Sequence, residues 1–215
     1  MSGATSELID RLSADLQPVA RGALVRRLVA GIAPGASLAA LAMLLGLGLR
    51  HDFSAALSMP SFWIKLVYTA LLSVAGMLAI ERVARPAETP RRGAIFGLSV
   101  LGTIVVMGSV QYAVTPPSGE HAVLLGHSAN FCPFAIIVLS VPIYLGAIWA
   151  LRGLAPTRLT LAGAVAGFLA GALAATIYSF SCGETGIAFL ASWYTLGTLS
   201  SAALGALVGP VVLRW

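Results

Sequence analysis

Two cysteines and three histidines carry most of the redox and metal-binding chemistry that this sequence offers. The cysteines are Cys132 and Cys182, and the histidines are His51, His121 and His127. Two thiols allow one disulfide, one shared metal ion, or neither. Thiol and imidazole groups together suit copper or zinc, whereas paired thiols in an oxidising compartment suit a disulfide. The competing interpretation is that both cysteines are small apolar residues at helix ends.

Groups for other kinds of catalysis are scarce. The sequence has no paired carboxylates, no Ser-His-Asp set, no HExxH motif and no phosphate-binding glycine loop. Lys65 is the one charged residue well inside a long apolar stretch, about one helical turn from its end. We expect its side chain to snorkel to the nearby membrane surface, and the alternative is a buried functional role. The sequence therefore predicts that the protein is not an enzyme.

The composition shows which elements must position these groups. Of 215 residues, 58% are hydrophobic and only 10% are charged, and the mean hydropathy is +0.92. A soluble domain is usually about 25% charged. A water-soluble enzyme and a nucleic-acid-binding module are therefore excluded as the main body of the chain. A polytopic membrane protein built from helices remains.

Six apolar stretches approach the roughly 20 residues that a helix needs to cross a bilayer. They predict an all-α membrane protein with six transmembrane helices, over residues 28–49, 61–80, 93–114, 131–151, 159–180 and 187–213. The chain then divides into an N-terminal tail, 1–27, and a six-helix bundle, 28–215. Because the loop 152–158 is short, the fourth and fifth helices should form an antiparallel hairpin.

The arginines predict how the bundle is oriented, because cytoplasmic loops of membrane proteins are rich in Lys and Arg. One side of the predicted bundle holds only Arg50. The other side holds eleven arginines: Arg11, Arg21, Arg26, Arg27, Arg82, Arg85, Arg91, Arg92, Arg152, Arg158 and Arg214. We therefore expect both termini in the cytoplasm and the loops 50–60, 115–130 and 181–186 outside.

This topology brings the cysteines to the same side of the membrane. Cys132 begins the fourth helix and Cys182 follows the fifth, so both lie at outer ends of neighbouring helices. The thiols can approach within bonding distance if the helices are adjacent there. All three histidines also fall in outer loops. The pattern predicts a redox or metal-sensing pair, Cys132 and Cys182, and a copper or zinc site that adds His127 and His121.

Small residues recur at every fourth position in the last two predicted helices. The fifth carries Gly163, Gly167 and Gly171, and the sixth carries Gly197, Ser201, Gly205 and Gly209. Such stripes let helix backbones approach closely in lipid. We expect these two helices to pack along them, and the alternative is the general looseness of an alanine-rich membrane protein.

The N-terminal tail contains a short amphipathic segment over residues 6–19. Its apolar residues recur at helical spacing: Leu8, Ile9, Leu12, Leu16 and Val19. Acidic residues on the polar face argue against binding to an anionic lipid surface. We expect the apolar stripe to bind in a groove of a partner protein, and packing on the bundle is the alternative.

Several short motifs, in this order and spacing, are similar to those of one known family. They are LIDRLSADLQPV at 8–19, Phe62-Trp63, Cys132, SCGE at 181–184, WYTLG at 193–197 and LVGPVVLRW at 207–215. Over nearly its whole length the chain resembles the NrsF-type, or negative regulator of sigma-F, integral-membrane anti-sigma factors of proteobacteria.

The resemblance implies a function and a location. Members of the family hold an extracytoplasmic-function sigma factor at the bacterial inner membrane and free it under redox or metal stress. The two outer cysteines of the family match Cys132 and Cys182. The tail together with the loop 81–92 would bind the sigma factor, and the loop 152–158 is a further candidate. The partners implied are that sigma factor and the lipid bilayer, without direct nucleic acid binding. No cofactor is required, and a copper or zinc ion at the periplasmic face is the candidate ligand.

A small membrane transporter or chaperone for metal ions is the alternative from a different class. A transporter needs polar groups that continue through the bundle. Here the polar residues are confined to the outer end of the predicted bundle, apart from Lys65 and scattered Ser, Thr and Tyr. A thiol oxidoreductase is less favoured still, because the sequence has no CxxC motif. The residues therefore favour a non-enzymatic sensor.

Overall fold

Six long apolar helices dominate the computed structural model, which describes residues 7, 22–85, 88–116, 119–154 and 156–214. They are α1 (Ala23–Gly46), α3 (Pro60–Val83), α4 (Arg91–Val114), α6 (Phe131–Arg152), α7 (Leu159–Tyr178) and α8 (Ile187–Val212). Two short helices, α2 (Phe53–Ala56) and α5 (Glu120–Leu125), lie in the connections. The long helices have 20 to 26 residues, which is enough to cross a bilayer.

The predicted all-α membrane fold is confirmed. Each of the six predicted spans falls on one long helix, with ends that differ by at most a few residues. The described parts of the chain contain no strand. The amphipathic helix expected in the tail, with Leu8, Ile9, Leu12, Leu16 and Val19, lies outside the described residues.

Successive long helices run in opposite directions, so their ends collect at two faces of the bundle. We call the face with Cys132 and Cys182 the cysteine end. The opposite face is the arginine end, and it carries Arg26, Arg27, Arg82, Arg85 and Arg152. Contacts between distant segments hold the arginine end together; for example, Arg152 Nε donates a hydrogen bond to the carbonyl oxygen of Val212 at 2.8 Å.

The orientation of the two ends relative to the cytoplasm stays a prediction, and two exposed positions can test it. Gly183 lies at the cysteine end and Thr89 at the arginine end. With both native cysteines replaced by serine, we expect Gly183→Cys to react with a membrane-impermeant maleimide in intact spheroplasts. Thr89→Cys should react only after lysis. The opposite labelling pattern would show that the bundle is inverted.

The small-residue stripes of α7 and α8 pack against each other, as the sequence predicts. A Cβ atom on Gly163 would collide with the carbonyl of Gly205, and one on Gly167 would collide with the carbonyl of Ser201. The two backbones are therefore in direct contact, which only residues without bulky side chains permit. Gly197 differs from the prediction: it faces the side chain of Ile136, because at this level α8 also packs against α6.

Replacing Gly205 by leucine should destabilise the bundle, because the side chain would enter the backbone of Gly163 and Gly167. Overpacking costs about 1–3 kcal/mol, so we expect the apparent Tm in detergent to fall by about 5 °C. Gly102→Leu is the matched control, since no atom lies within 4 Å of a Cβ built at that position in α4. Equal losses in the two variants would contradict a specific α7–α8 contact.

Candidate functional site

The two cysteine side chains lie side by side at the cysteine end. Cys132 is in the first turn of α6, and Cys182 lies just beyond the end of α7. Both thiols are free and buried, with exposed fractions of 0% and 5%. The two side chains are close enough to interact, and Cys132 lowers the pKa of the Cys182 thiol. Two thiols in such contact can form a disulfide, or bind one soft metal ion, with small movements.

Local backbone bonds set the positions of both thiols. The N–H of Cys182 donates to the carbonyl of Tyr178 at 3.0 Å, so the chain continues the last turn of α7 before it leaves the helix. The N–H of Cys132 donates to the carbonyl of Ser128 at 2.9 Å. Pro133 follows in the first turn of α6, where a residue without an N–H is tolerated.

The structure corrects the expectation that Lys65 snorkels to the membrane surface. The residue is only 3% exposed. Its ammonium donates hydrogen bonds to the carbonyl oxygens of Cys182 at 3.0 Å and of Glu184 at 2.6 Å. The side chain does point toward the cysteine end, but the loop 181–186 lies over it. Main-chain carbonyls therefore replace the water that a snorkelling lysine would reach.

The surroundings of Cys182 lower the pKa of its thiol. The hydrogen bond from Cys132 is the largest cause, burial opposes it, and the positive charge of Lys65 adds to the lowering. A thiolate is the form of cysteine that attacks oxidants and binds metal ions. The positive charge of Lys65 beside Cys182 therefore favours the thiolate form of this residue.

Tyr194 closes the site from α8 and was not predicted. Its side chain is completely buried, and its ring centroid is 5.6 Å from the Lys65 ammonium. The hydroxyl has no hydrogen-bond partner within the described chain, although it is near enough to Cys182 to lower the pKa of that thiol. A π-helical turn, Leu190–Tyr194, presents this residue, and such turns are frequent at functional sites. The sequence signal was the WYTLG motif, which contains Tyr194 without showing its role.

Glu184 fastens the loop that carries Cys182 to the segment before α6. One carboxylate oxygen accepts hydrogen bonds from the N–H of His127 at 2.8 Å and from the hydroxyl of Ser128 at 3.1 Å. His127 therefore contributes its main chain to the site, while the residue as a whole is exposed. The contact joins the backbone around the two cysteines into one polar network.

Arg50, the single arginine at the cysteine end, is neutralised by a neighbouring carboxylate. Its guanidinium donates two hydrogen bonds of 2.6 Å to Asp52. This pairing lowers the pKa of Asp52 and raises the pKa of Arg50. Arg50 is nearly buried, so its charge is compensated beside the thiol site.

Of the four residues predicted to bind a metal, the structure brings together the two cysteines. Within the described residues, no group of three or more His, Cys, Asp or Glu is placed to hold a metal ion. The side chain of His121 lies outside what the structure describes. The metal site that combines both thiols with His127 and His121 therefore stays a prediction.

A cavity of about 780 Å³ lies at the opposite, arginine end of the bundle. Its lining comes from the start of α1, the end of α3 and the residues after α6: Ala23, Leu24, Arg26, Arg27, Ala30, Ala84, Arg85, Gly153 and Leu154. Ala23 is the first residue of α1, so the start of this helix lies at the cavity.

A six-helix membrane bundle with a buried thiol pair at one end is the class of protein that this geometry defines. A family model described as "Negative regulator of sigma F", NrsF, matches residues 12–215. The chain belongs to this family, which confirms the resemblance found in its motifs.

Two relatives extend over almost the whole chain. The chain is 43% identical over 216 residues to "Anti-sigma-F factor NrsF" of Caulobacter vibrioides (strain NA1000 / CB15N). It is 38% identical over 212 residues to "Probable anti-sigma-F factor NrsF" of Azospira oryzae (strain ATCC BAA-33 / DSM 13638 / PS). Both alignments cover 98% of this chain and 99% of the relative. No solved structure gave a significant match.

Proposed function

We propose that this protein is an integral-membrane anti-sigma factor of the bacterial inner membrane. It holds an extracytoplasmic-function sigma factor in an inactive state and releases it when Cys132 and Cys182 react under redox or metal stress. The proposal that the protein senses redox or metal stress is supported by the proximity of the two buried thiols. Membership in the family, together with two relatives named as anti-sigma-F factors, supports the regulatory part.

The sigma factor binds at the arginine end in this proposal. The tail supplies the apolar stripe formed by Leu8, Ile9, Leu12, Leu16 and Val19, and the loop 81–92 lies on the same face. Within the described chain, the connections at this end are short, so no folded domain is present there to bind a partner. An amphipathic helix that enters a groove of the partner fits these constraints.

Oxidation is the first of two signals that the thiol pair suits. Two thiols form one disulfide, two electrons pass to an oxidant such as a peroxide or hypochlorous acid, and two protons are released. The lowered pKa of Cys182 favours the attacking thiolate. Burial of both sulfurs limits access to small oxidants.

A soft metal ion is the second signal, and here the stimulus itself is the ligand. Two thiolates suit copper in its monovalent state, which accepts sulfur ligands. Zinc prefers four ligands, and the described residues supply two. The geometry therefore favours copper over zinc among the ions that the sequence suggested.

The described interior gives no specific support to a metal-ion transporter. Apart from Arg50 and Lys65, the buried polar residues of the described chain are Thr69, Ser140, Ser179, Thr198 and Ser201. Each of their hydroxyls donates to a carbonyl of its own helix or to a neighbouring hydroxyl. These groups are satisfied internally, so they form no evident path for an ion toward the arginine end.

Deleting the gene should raise transcription from a sigma-F-dependent promoter on the order of tenfold or more, because free sigma factor binds RNA polymerase. The full-length chain, purified from solubilised membranes of untreated cells, should carry the sigma factor and lose it after diamide or copper treatment. A strain that expresses an unrelated six-helix membrane protein serves as the control. Unchanged promoter activity after deletion would refute the proposal.

A further inference from the structure

Lys65 is a buried charge whose two hydrogen bonds to the main chain are not used by the proposed thiol chemistry. It belongs to α3, whereas both of its hydrogen-bond acceptors belong to the loop 181–186. One acceptor is the carbonyl of Cys182 itself, at 3.0 Å, and the other is the carbonyl of Glu184, at 2.6 Å. The lysine therefore binds the main chain on both sides of Gly183, immediately beside the Cys182 thiol.

Other polar contacts of this segment lead to different elements. The Glu184 carboxylate binds the N–H of His127, just before α6, and the Phe180 carbonyl accepts a hydrogen bond from the N–H of Arg50, after α1. Among the described hydrogen bonds, those of Lys65 are the ones that join the loop to α3.

The burial of Lys65 makes the link between the loop 181–186 and α3 stiff. An ammonium group in an apolar interior cannot be left without acceptors, because no water replaces them there. When Cys182 forms a new bond to Cys132 or to a metal ion, its carbonyl moves with it. Lys65 then follows its acceptors, and α3 moves with Lys65.

The other end of α3 reaches the arginine end of the bundle. Lys65 and Ala84 are separated by about 28 Å along a continuous helix. Ala84 and Arg85 line the cavity that Ala23 and Arg26 of α1 also line. A displacement of α3 therefore changes the surroundings of the start of α1.

We infer that Lys65 is the positioning residue that couples the state of Cys182 to α3, and through α3 to the cavity at which α1 begins. The inference rests on the proposed function for its biological meaning. Its physical content concerns the bundle alone, so it is testable without the sigma factor.

The test measures the thiol state and the arginine end in the same membranes that contain the full-length chain. A photo-cross-linking amino acid at the exposed position 85 reports its neighbours by mass spectrometry, before and after oxidation with diamide. In the otherwise unchanged protein, we expect disulfide formation to change the cross-linked peptides. In Lys65→Met, the disulfide should form more slowly, because the positive charge beside Cys182 is lost, but after oxidation is carried to completion the cross-linked peptides should stay the same.

Two further variants keep the experiment decisive. Thr69→Val is the matched control, since Thr69 is buried one turn away and its hydroxyl bonds only to carbonyls of its own helix, those of Lys65 and Leu66. It should respond as the unchanged protein does. If Lys65→Met fails to accumulate, Lys65→Gln replaces it, because glutamine is shorter by one bond and removes the charge; it should also uncouple the two ends.

Three results would overturn the inference. The first is a cross-link pattern in the unchanged protein that does not depend on the thiol state. The second is a normal change of the cross-linked peptides in the fully oxidised Lys65 variant. The third is failure of that variant to form the disulfide even when oxidation is carried to completion. A sigma-F-dependent reporter in the same cells separates this inference from the proposed function. If the cross-links respond and the reporter does not, the proposed function fails while the coupling through Lys65 stands.

Discussion

Cys132→Ser and Cys182→Ser should each abolish induction of the sigma-F-dependent reporter, and to the same extent. Either serine removes one of the two sulfurs that a disulfide or a two-coordinate metal ion requires. Serine is similar in size and keeps a hydrogen-bond donor, so we expect both variants to accumulate in the membrane. The measurement is reporter activity after diamide and after copper, normalised to the amount of membrane protein.

His127→Ala separates the two signals within this same experiment. The imidazole is lost, but the main-chain N–H that binds Glu184 is kept, so the anchoring of the loop should survive. Loss of the copper response with a normal diamide response would show that both signals act and that His127 joins the metal site. The pairing of the cysteines is refuted if one serine variant responds normally to every inducer while the other does not.

The helices were predictable because one simple property defines them. A bilayer requires about 20 apolar residues for each crossing, and the sequence marks each limit with arginine, proline or polar residues. The α7–α8 contact was also predictable, since both of its partners carry small residues at every fourth position. Gly163 and Gly205 are the central example, because their backbones touch.

A second close crossing was missed although its residues are of the same type. Gly31 of α1 packs against the backbone of Gly146 in α6, and Gly35 packs against the backbone of Pro142 and Ile143. These helices are far apart in sequence, and α6 offers one glycine there and no repeated stripe. Which helix lies beside α1 is decided by the packing of the whole bundle, and no local pattern encodes it.

The residues of the thiol site likewise fall into those that the sequence could place and those that it could not. The two cysteines could be placed together because topology alone puts them at one end of neighbouring helices. The burial of Lys65 could not be predicted, because a snorkelling lysine and a buried one differ only in whether a loop, here 181–186, covers the side chain. Tyr194 depends on a π-helical turn that brings its hydroxyl to the thiols, and one extra residue in a helical turn leaves no periodic signal in the sequence.

Replacing both Leu12 and Leu16 by aspartate should release the sigma factor while the protein stays in the membrane. These leucines lie at the centre of the apolar stripe of the tail. Binding in a groove would bury two carboxylates without partners, at a cost of several kcal/mol. Each 1.4 kcal/mol weakens binding about tenfold, so micromolar binding would be lost. The sigma-F-dependent reporter should then be active without any inducer.

The matched control places the same two charges on the other side of the predicted helix. Ala14→Asp with Gln17→Asp adds two carboxylates off the apolar stripe, where water still solvates them, so repression should persist. A silent reporter in the leucine variant, at normal membrane abundance, would show that the tail is not the main docking element and would shift attention to the loop 81–92. Constitutive activity in both variants would instead indicate that negative charge alone weakens the complex. The contrast between the two faces is therefore what identifies burial of the apolar stripe as the source of binding.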